Sequence, residues 1–367
     1  MNVVVIGAGV IGATVAYRLA RAGAAVTLLE AGRVGGGTSS ATFAWTNSNG
    51  KTPRSYHDLN VAGMRAHAAL RNEFDGLPWW HEGGNLEWAT DDAGRTALHT
   101  KVERLRSWGY AAERLNPQQI IELEPDVDRG AVADALIAYY PDEGWVDTVP
   151  YVHAMVQAAL RLGAQVRERA RVTSLQVSRG RVTGVRTAGG EAYGADVVVN
   201  CAGPEADEMA GLAGWRLPLH RRPGLLIVTP PVPTSLRRIV HSPECSIRPD
   251  GGGRVMLHAD PLDEDIRPDE AIGPSAPLVK EVIRLAAIVF PTLAGTAAEA
   301  TRLGIRPIPK DGFPIVGPVP DVEGYYIVVT HSGVTLAPIL GQAVAHELVQ
   351  GRTEPMLESF RPNRFAG

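Results

Sequence analysis

The residues from Asn2 to Glu30 constrain the fold more than any others. Asn2–Ile6 is, after its first residue, an unbroken apolar, β-branched run, the composition of a strand buried on both faces of a parallel sheet. Gly7-Ala8-Gly9-Val10-Ile11-Gly12 follows directly, then an alanine-rich helix to about Gly23, then a second apolar strand, Ala25–Leu29, ending at Glu30. This is a βαβ unit. Gly7 permits the tight turn, Gly9 lets the backbone approach a pyrophosphate, and Gly12 lets the helix pack close to the strand. The helix start, with Val10 and Ile11, offers free N–H groups and partial positive charge to phosphates. Glu30, about twenty residues on, is placed to accept hydrogen bonds from a ribose. The unit predicts dinucleotide binding and leaves the choice between a nicotinamide and a flavin open.

The 367 residues suit two domains folded as one unit. With 36 basic and 40 acidic residues the net charge is −4, which gives nucleic acid or an anionic membrane no electrostatic hold. The longest apolar runs are of strand length, too short to span a bilayer. Two cysteines, Cys201 and Cys245, without CxxC spacing argue against a disulfide framework or a structural zinc site. The chain starts on a strand with no leader-like segment, so a cytoplasmic location is expected.

Helical periodicity is read at Tyr56–Phe74, Asp91–Trp108, Thr148–Leu162, Pro277–Val289 and Val334–Val349. Strands are expected at Gln165–Arg167, Arg171–Val177, Arg181–Thr187, Ala195–Asn200, Leu225–Val228, Cys245–Arg248, Arg254–His258, Ala298–Ile305 and Tyr325–Thr330. Parallel units thus lie at both ends and in the middle, with antiparallel pieces between. The expected class is α/β with α+β inserts. A Rossmann-type cofactor domain would comprise residues 1–75, 141–215 and 305–367, and an antiparallel-sheet substrate domain residues 76–140 and 216–304.

Further motifs separate the cofactors. Glu30-Ala31-Gly32-Arg33 leads into the small, hydroxyl-rich loop Gly35-Gly36-Gly37-Thr38-Ser39-Ser40. Far downstream come Ala195–Asn200 running into Cys201-Ala202-Gly203, then Gly304-Ile305-Arg306-Pro307, Lys310–Gly317, and His331-Ser332-Gly333-Val334. At these residues the chain resembles the D-amino-acid oxidase superfamily of FAD-dependent oxidoreductases, most closely its glycine oxidase, sarcosine oxidase and D-amino-acid dehydrogenase branch. The likeness runs in order along nearly the whole chain, strong at the two ends and weak between about Gly76 and Tyr140.

The resemblance implies FAD and assigns positions to it. Thr38, Ser39 and Ser40 match the segment on the pyrophosphate, and Ala44 and Trp45 match residues beside the flavin ring. Val172 matches a backbone contact to adenine, and Ala202-Gly203 the turn near the ribityl chain. His331, Ser332, Gly333, Val334, Thr335 and Leu336 match the turn and helix start under the pyrimidine side, where a helix N-terminus stabilises negative charge. Arg306 matches the arginine that holds a substrate carboxylate in amino-acid-oxidising relatives; the alternative is a structural ion pair, with Asp311 or Glu299. Two departures from the family pattern remove carboxylate ligands. Thr330-His331-Ser332-Gly333 carries no arginine, and Cys245 or Ser246 stands where relatives have a tyrosine.

His258, at the end of a pocket-lining strand, is a candidate for catalysis beside Arg306, with the alternative of a hydrogen-bonded filler. His57, Lys51 and Tyr56 follow the flavin loop and stand as weaker candidates. Trp79-Trp80-His81 reads as a pocket cap or as core. Neither cysteine matches an attachment cysteine, and the Thr38–Trp45 loop has no histidine, so non-covalent FAD is expected. The expected reaction is oxidation of a C–N bond in a small-molecule amine or amino acid, with oxygen or another acceptor taking the electrons; no metal is expected. The rivals are an NAD(P)-dependent reductase, a nucleic-acid-modifying flavoprotein, and a flavin-binding subunit of a hetero-oligomeric dehydrogenase.

Overall fold

A computed structural model describes residues 1–365. Its centre is a six-stranded sheet in the lateral order Ile315–Pro318, Tyr325–Val329, Val197–Asn200, Asn2–Ile6, Ala25–Leu29, Gln165–Arg167. Every neighbouring pair is parallel except the outermost, Ile315–Pro318 with Tyr325–Val329. Both faces are covered, which explains the unbroken apolar strands. Val3 and Val5 join one core with the helices Val10–Arg21, Thr148–Arg161 and Gly333–Gln350. Val4 and Ile6 point the other way, into a second core with the antiparallel meander Val172–Ser178, Arg181–Thr187, Ala192–Gly194 and the short helix Ala206–Leu212.

The second large element is an eight-stranded sheet, in the order Ala300–Pro309, Leu219–Val228, Val255–His258, Ser246–Pro249, Ile239–His241, Asn85–Ala89, Leu136–Tyr140, Glu113–Leu115. All its pairings are antiparallel except Ile239–His241 with Asn85–Ala89. The helix Pro277–Val289 packs on it through Val279, Val282, Ile283 and Ala286, at the three-to-four-residue spacing of one apolar stripe. A small sheet of Trp45–Thr46, Gly144–Val146 and Trp80–Glu82 ties the loop after Ser40 to the chain before Thr148.

Three differences from expectation have physical causes. The strand expected at Leu225–Val228 begins at Leu219 and contains Pro223, which pairs with Ile305 inside the ladder. Its partner Ala300–Pro309 runs without a break through residue 305, so a domain boundary placed there cuts a strand. Five strands of three to five residues between Trp80 and Val146 were not foreseen; strands that short give little periodicity to read.

Candidate active site

The site is assembled where the first strand ends. Gly7 turns the chain with φ of +95°, open to glycine at no cost, and a Cβ there would stand 2.6 Å from the Cys201 carbonyl oxygen. Gly9 ends in extended backbone and caps the helix Val10–Arg21, with only the Ser39 hydroxyl near its missing Cβ. A Cβ on Gly12 would lie 1.8 Å from the Gly7 carbonyl oxygen, so Gly12 is what lets the helix sit against the turn. Glu30 accepts the N–H of Ala8 on Oε2 at 2.8 Å and that of Gly32 on Oε1 at 2.7 Å. Each carboxylate oxygen keeps capacity for a further donor.

These elements open onto a cleft of about 610 Å3. Of the residues singled out from sequence, Gly7, Gly9, Val10, Ile11, Glu30, Ala31, Arg33, Thr38, Ser39 and Ser40 line it from the first segment. Val172, Ala202, Gly203, His331, Gly333 and Val334 line it from the later ones. Two helix N-termini meet here: the Cβ position of Gly333 lies 3.6 Å from Val10 and 3.7 Å from Ile11. The loop hydroxyls serve its own architecture. Val10 N–H donates to Ser39 Oγ at 2.9 Å, Thr38 donates to the Ile305 carbonyl at 2.7 Å, and Ser40 to the Gly37 carbonyl at 2.8 Å. Ala41 presses so closely on the strand Ala300–Pro309 that a Cβ on Gly304 would meet its carbonyl oxygen at 2.2 Å.

The remaining residues of the set lie behind the wall. Gly12 packs beneath the turn. Ser332 shares a hydrogen bond with the Tyr56 hydroxyl at 2.7 Å, and Leu336 is buried in the core. Thr335 Oγ1 accepts the Asn47 N–H at 3.3 Å and donates to the Trp45 carbonyl at 3.4 Å. Ala44, at φ of +59°, turns the loop, and Val146 N–H donates to its carbonyl at 3.1 Å. Trp45 packs on His241 with ring centroids 4.1 Å apart and donates its indole N–H to Glu143 at 3.0 Å.

On the sheet side, His241, Ser246 and His258 stand opposite one another across three adjacent strands, a polar row on one face. Phe43 lies beside it, with centroids 5.9 Å from His241 and 6.2 Å from His258. Burial, then the charges of Lys101 and His258, pushes the His241 imidazole down to about 3. His331 is exposed at the cleft; the protein crowded around its ring, then Lys51 and Arg306, lowers its pKa as well, and the His241 ring is neutral near pH 7. His258 Nε2 lies 2.9 Å from Asp263 Oδ2 and 3.6 Å from Asp260 Oδ1. Arg306 does not pair with Asp311 or Glu299, which hold Arg364 and Arg254 instead. Its partners are Asp260 and Asp263. Both aspartates escaped sequence reading because they lie in the acidic stretch after His258, which resembles any solvated turn.

Lys51 is half-buried with its ammonium 5.7 Å from the Tyr56 ring; burial lowers its pKa against the pull of Glu143. His57 bonds to Ser48 and packs on Trp108, facing a separate cavity rather than the cleft. Trp79, Trp80 and His81 pack internally, on Phe74, His67 and Trp145 respectively, and none of the three lines the cleft.

A family model described as FAD dependent oxidoreductase matches residues 2–347. The chain belongs to this family. It is 27% identical to the glycine oxidase of Geobacillus kaustophilus over all of this chain and 97% of that protein. It is 26% identical to an opine oxidase subunit of Agrobacterium tumefaciens, over all of this chain and 98% of that one. The crystal structure of the Geobacillus kaustophilus glycine oxidase superposes with a TM-score of 0.89 at 25% identity, covering 100% of this chain and 99% of that one. The cofactor is therefore FAD, and the residues present fit it: a cradle that Cβ atoms would fill, two helix N-termini on one cleft, and a carboxylate at the end of the second strand. Among the described residues no helix is long and apolar enough to cross a membrane.

Proposed function

We propose that the chain oxidises a C–N bond in a small primary or secondary amine, releasing an imine that hydrolyses to a carbonyl compound and an amine or ammonia. The observation that carries this is the end-to-end likeness to glycine oxidase, with the eight-stranded sheet set against the same cleft. Bound in the cleft without a covalent link, FAD supplies the two-electron acceptor. The protein's part is placement. The helix starts at Gly9 and Gly333 favour negative charge in the cleft, and the row His241, Ser246, His258 presents hydrogen-bonding groups from the sheet. His258, held by Asp263, is the group assigned to take the proton that an ammonium substrate must lose before its α-hydride can leave.

The test is anaerobic mixing of the yellow holoenzyme with a panel of amines and amino acids, followed by admission of air. Bleaching at the flavin band and return of colour is the expected result, with dioxygen as acceptor. A preparation that carries no flavin and takes none up would exclude the reading in favour of a nicotinamide enzyme. An isolated chain that holds FAD but is bleached by nothing points instead to a subunit of a larger dehydrogenase. Acid precipitation should leave the flavin in the supernatant, since both cysteines are buried and the Thr38–Trp45 loop holds no histidine.

A further inference from the structure

Arg306 is the cation that a free amino acid's carboxylate would seek, and the nitrogen that any two-pronged grip on it needs is already committed. Nη2 gives both protons away, to Asp263 Oδ2 at 3.0 Å and to the Pro223 carbonyl at 2.7 Å. Nη1 donates to Asp260 Oδ1 at 2.9 Å. Nε is buried without a partner, and a Cβ on Gly224 would stand 3.2 Å from it. A carboxylate can grip a guanidinium bidentately along two edges, Nη1 with Nη2 or Nε with Nη2. Both edges require Nη2, which has nothing left to give.

The two aspartates differ in how firmly they are held. Asp263 is buried, accepts the Leu225 N–H on Oδ1 at 3.0 Å, and faces His258 and Arg306 with Oδ2. It cannot leave without orphaning three donors. Asp260 has a side chain 68% exposed, on the turn that follows His258, and its charge is felt by His241 and His331. Burial raises its carboxyl, but His258 and Arg306 outweigh that and hold it below the usual range. One guanidinium against two carboxylates leaves a charge of −1, and protonating His258 brings it only to neutral. The outward face of the cluster is a carboxylate, where a clamp for anions would show a cation.

We propose that Asp260 is a specificity-determining residue that receives a positively charged group of the substrate, so that the enzyme favours amines with a second cationic centre over α-amino acids. This rests on the amine-oxidation reading above. Arg306 then serves as a positioning residue that fixes the Asp260 carboxylate against the anchored Asp263. Ser246, in the row beside His258, adds a neutral hydroxyl and no cation to that face.

The deciding series is 1,4-diaminobutane, butylamine and 4-aminobutanoate, which differ only in the remote group, with glycine and sarcosine alongside. The holoenzyme should reduce fastest with the diamine, at a kcat/KM about tenfold above butylamine, with the aminobutanoate slowest. In Asp260→Asn the ratio of kcat/KM for the diamine to that for butylamine, read within the variant, should fall from about ten to about one. A wild type that prefers 4-aminobutanoate, glycine or sarcosine, or a variant that keeps the wild-type order, would overturn the proposal. Should no amine reduce the flavin, the amine-oxidation reading fails on its own. Perturbation of the flavin spectrum by benzamidine and by benzoate then still tests Asp260: tighter benzamidine binding that is lost in Asp260→Asn supports it, and tighter benzoate binding sinks it.

Discussion

His67 Nε2 stands 2.7 Å from the carbonyl oxygen of Val334. The reason lies one turn further along the helix Gly333–Gln350. That carbonyl would ordinarily accept the N–H of residue 338, and residue 338 is a proline, which has none. His67, on the helix Arg54–Ala69, supplies the missing donor from outside. The bond fixes the proton on Nε2 and leaves Nδ1 buried without a partner. It also pins the first turn of the helix whose N-terminus faces the cofactor cleft.

Burial pushes His67 down to about 4, against the pull of the Val334 carbonyl. A histidine depressed in the folded state contributes stability that is complete above its ordinary value near 6.5 and is lost as pH falls towards 4. His67→Gln should therefore show a shallower loss of stability between pH 6.5 and 4 than the wild type, read as urea midpoints across that range. His67→Phe leaves the Val334 oxygen unpaired and should cost about 1–3 kcal/mol at pH 7.5. Equal midpoints for wild type and His67→Phe would show that the helix start does not need this donor.

Glu143 does comparable work for the loop that carries Trp45, Ser48 and Asn49. Its carboxylate receives Tyr110 at 2.7 Å, Trp45 at 3.0 Å, the Asn49 backbone at 3.1 Å, Asn49 and Asn85 side chains at 3.2 Å, and the Ser48 backbone at 3.3 Å. Burial nonetheless raises it to about 7. A raised acid stabilises the fold fully below its ordinary value near 4.5 and loses that contribution as pH climbs through 7. The stability gap between wild type and Glu143→Gln should accordingly narrow, on the order of 3 kcal/mol, as pH rises from 4.5 to 7. A gap independent of pH, measured by urea unfolding of the holoenzyme, would mean that the carboxylate stays ionised throughout.

What the sequence disclosed and what it hid follow one rule. Gly7, Gly9, Gly12 and Glu30 were legible because their chemistry is local: a turn, a helix start and an acid within about thirty residues. The central strands were legible because burial on both faces makes them continuously apolar. The eight-stranded sheet was read only in part, since Ile239–His241 and Asn85–Ala89 are short and pair across some 150 residues. Arg306 was found, but not its partners. Asp260 and Asp263 act through tertiary contacts that no spacing announces, and the same holds for Glu143 and for His67, whose role depends on a proline in another helix.

Gly12→Ala tests the tightest contact at the strand-to-helix turn. Its methyl would have to occupy space 1.8 Å from the Gly7 carbonyl oxygen and 3.2 Å from the Cys201 Cβ, all of it backbone or core. The helix must shift away from the turn, which moves its N-terminus off the cleft. The expected result is FAD-depleted protein, seen as a fall in the 450 nm to 280 nm absorbance ratio, with a lowered melting temperature. Gly9→Ala meets only the Ser39 hydroxyl, at 3.0 Å, so the apo fold should survive while FAD uptake weakens. A Gly9→Ala protein that binds FAD as tightly as wild type would show that nothing approaches the backbone at that point.

Glu30 carries two duties that substitution can separate. It braces the turn through the N–H groups of Ala8 and Gly32, and it presents its remaining lone pairs to the cleft. Glu30→Ala removes both, leaving the part-buried Ala8 N–H unsatisfied and the exposed Gly32 N–H to water. Glu30→Gln keeps one acceptor oxygen but replaces the other with an NH2 group that must face an existing N–H donor. If the ribose is held here, each change should weaken FAD binding by about tenfold or more, with alanine the more severe, because a hydrogen bond to a charged acceptor is worth about 1.5–3 kcal/mol. Titration of apoprotein with FAD, followed by flavin fluorescence quenching, reads that loss. Melting of the apoprotein reads the bracing role by itself, since no ribose is then present. Should the apoprotein be destabilised while FAD affinity stays unchanged, Glu30 would be a brace for the turn and nothing more.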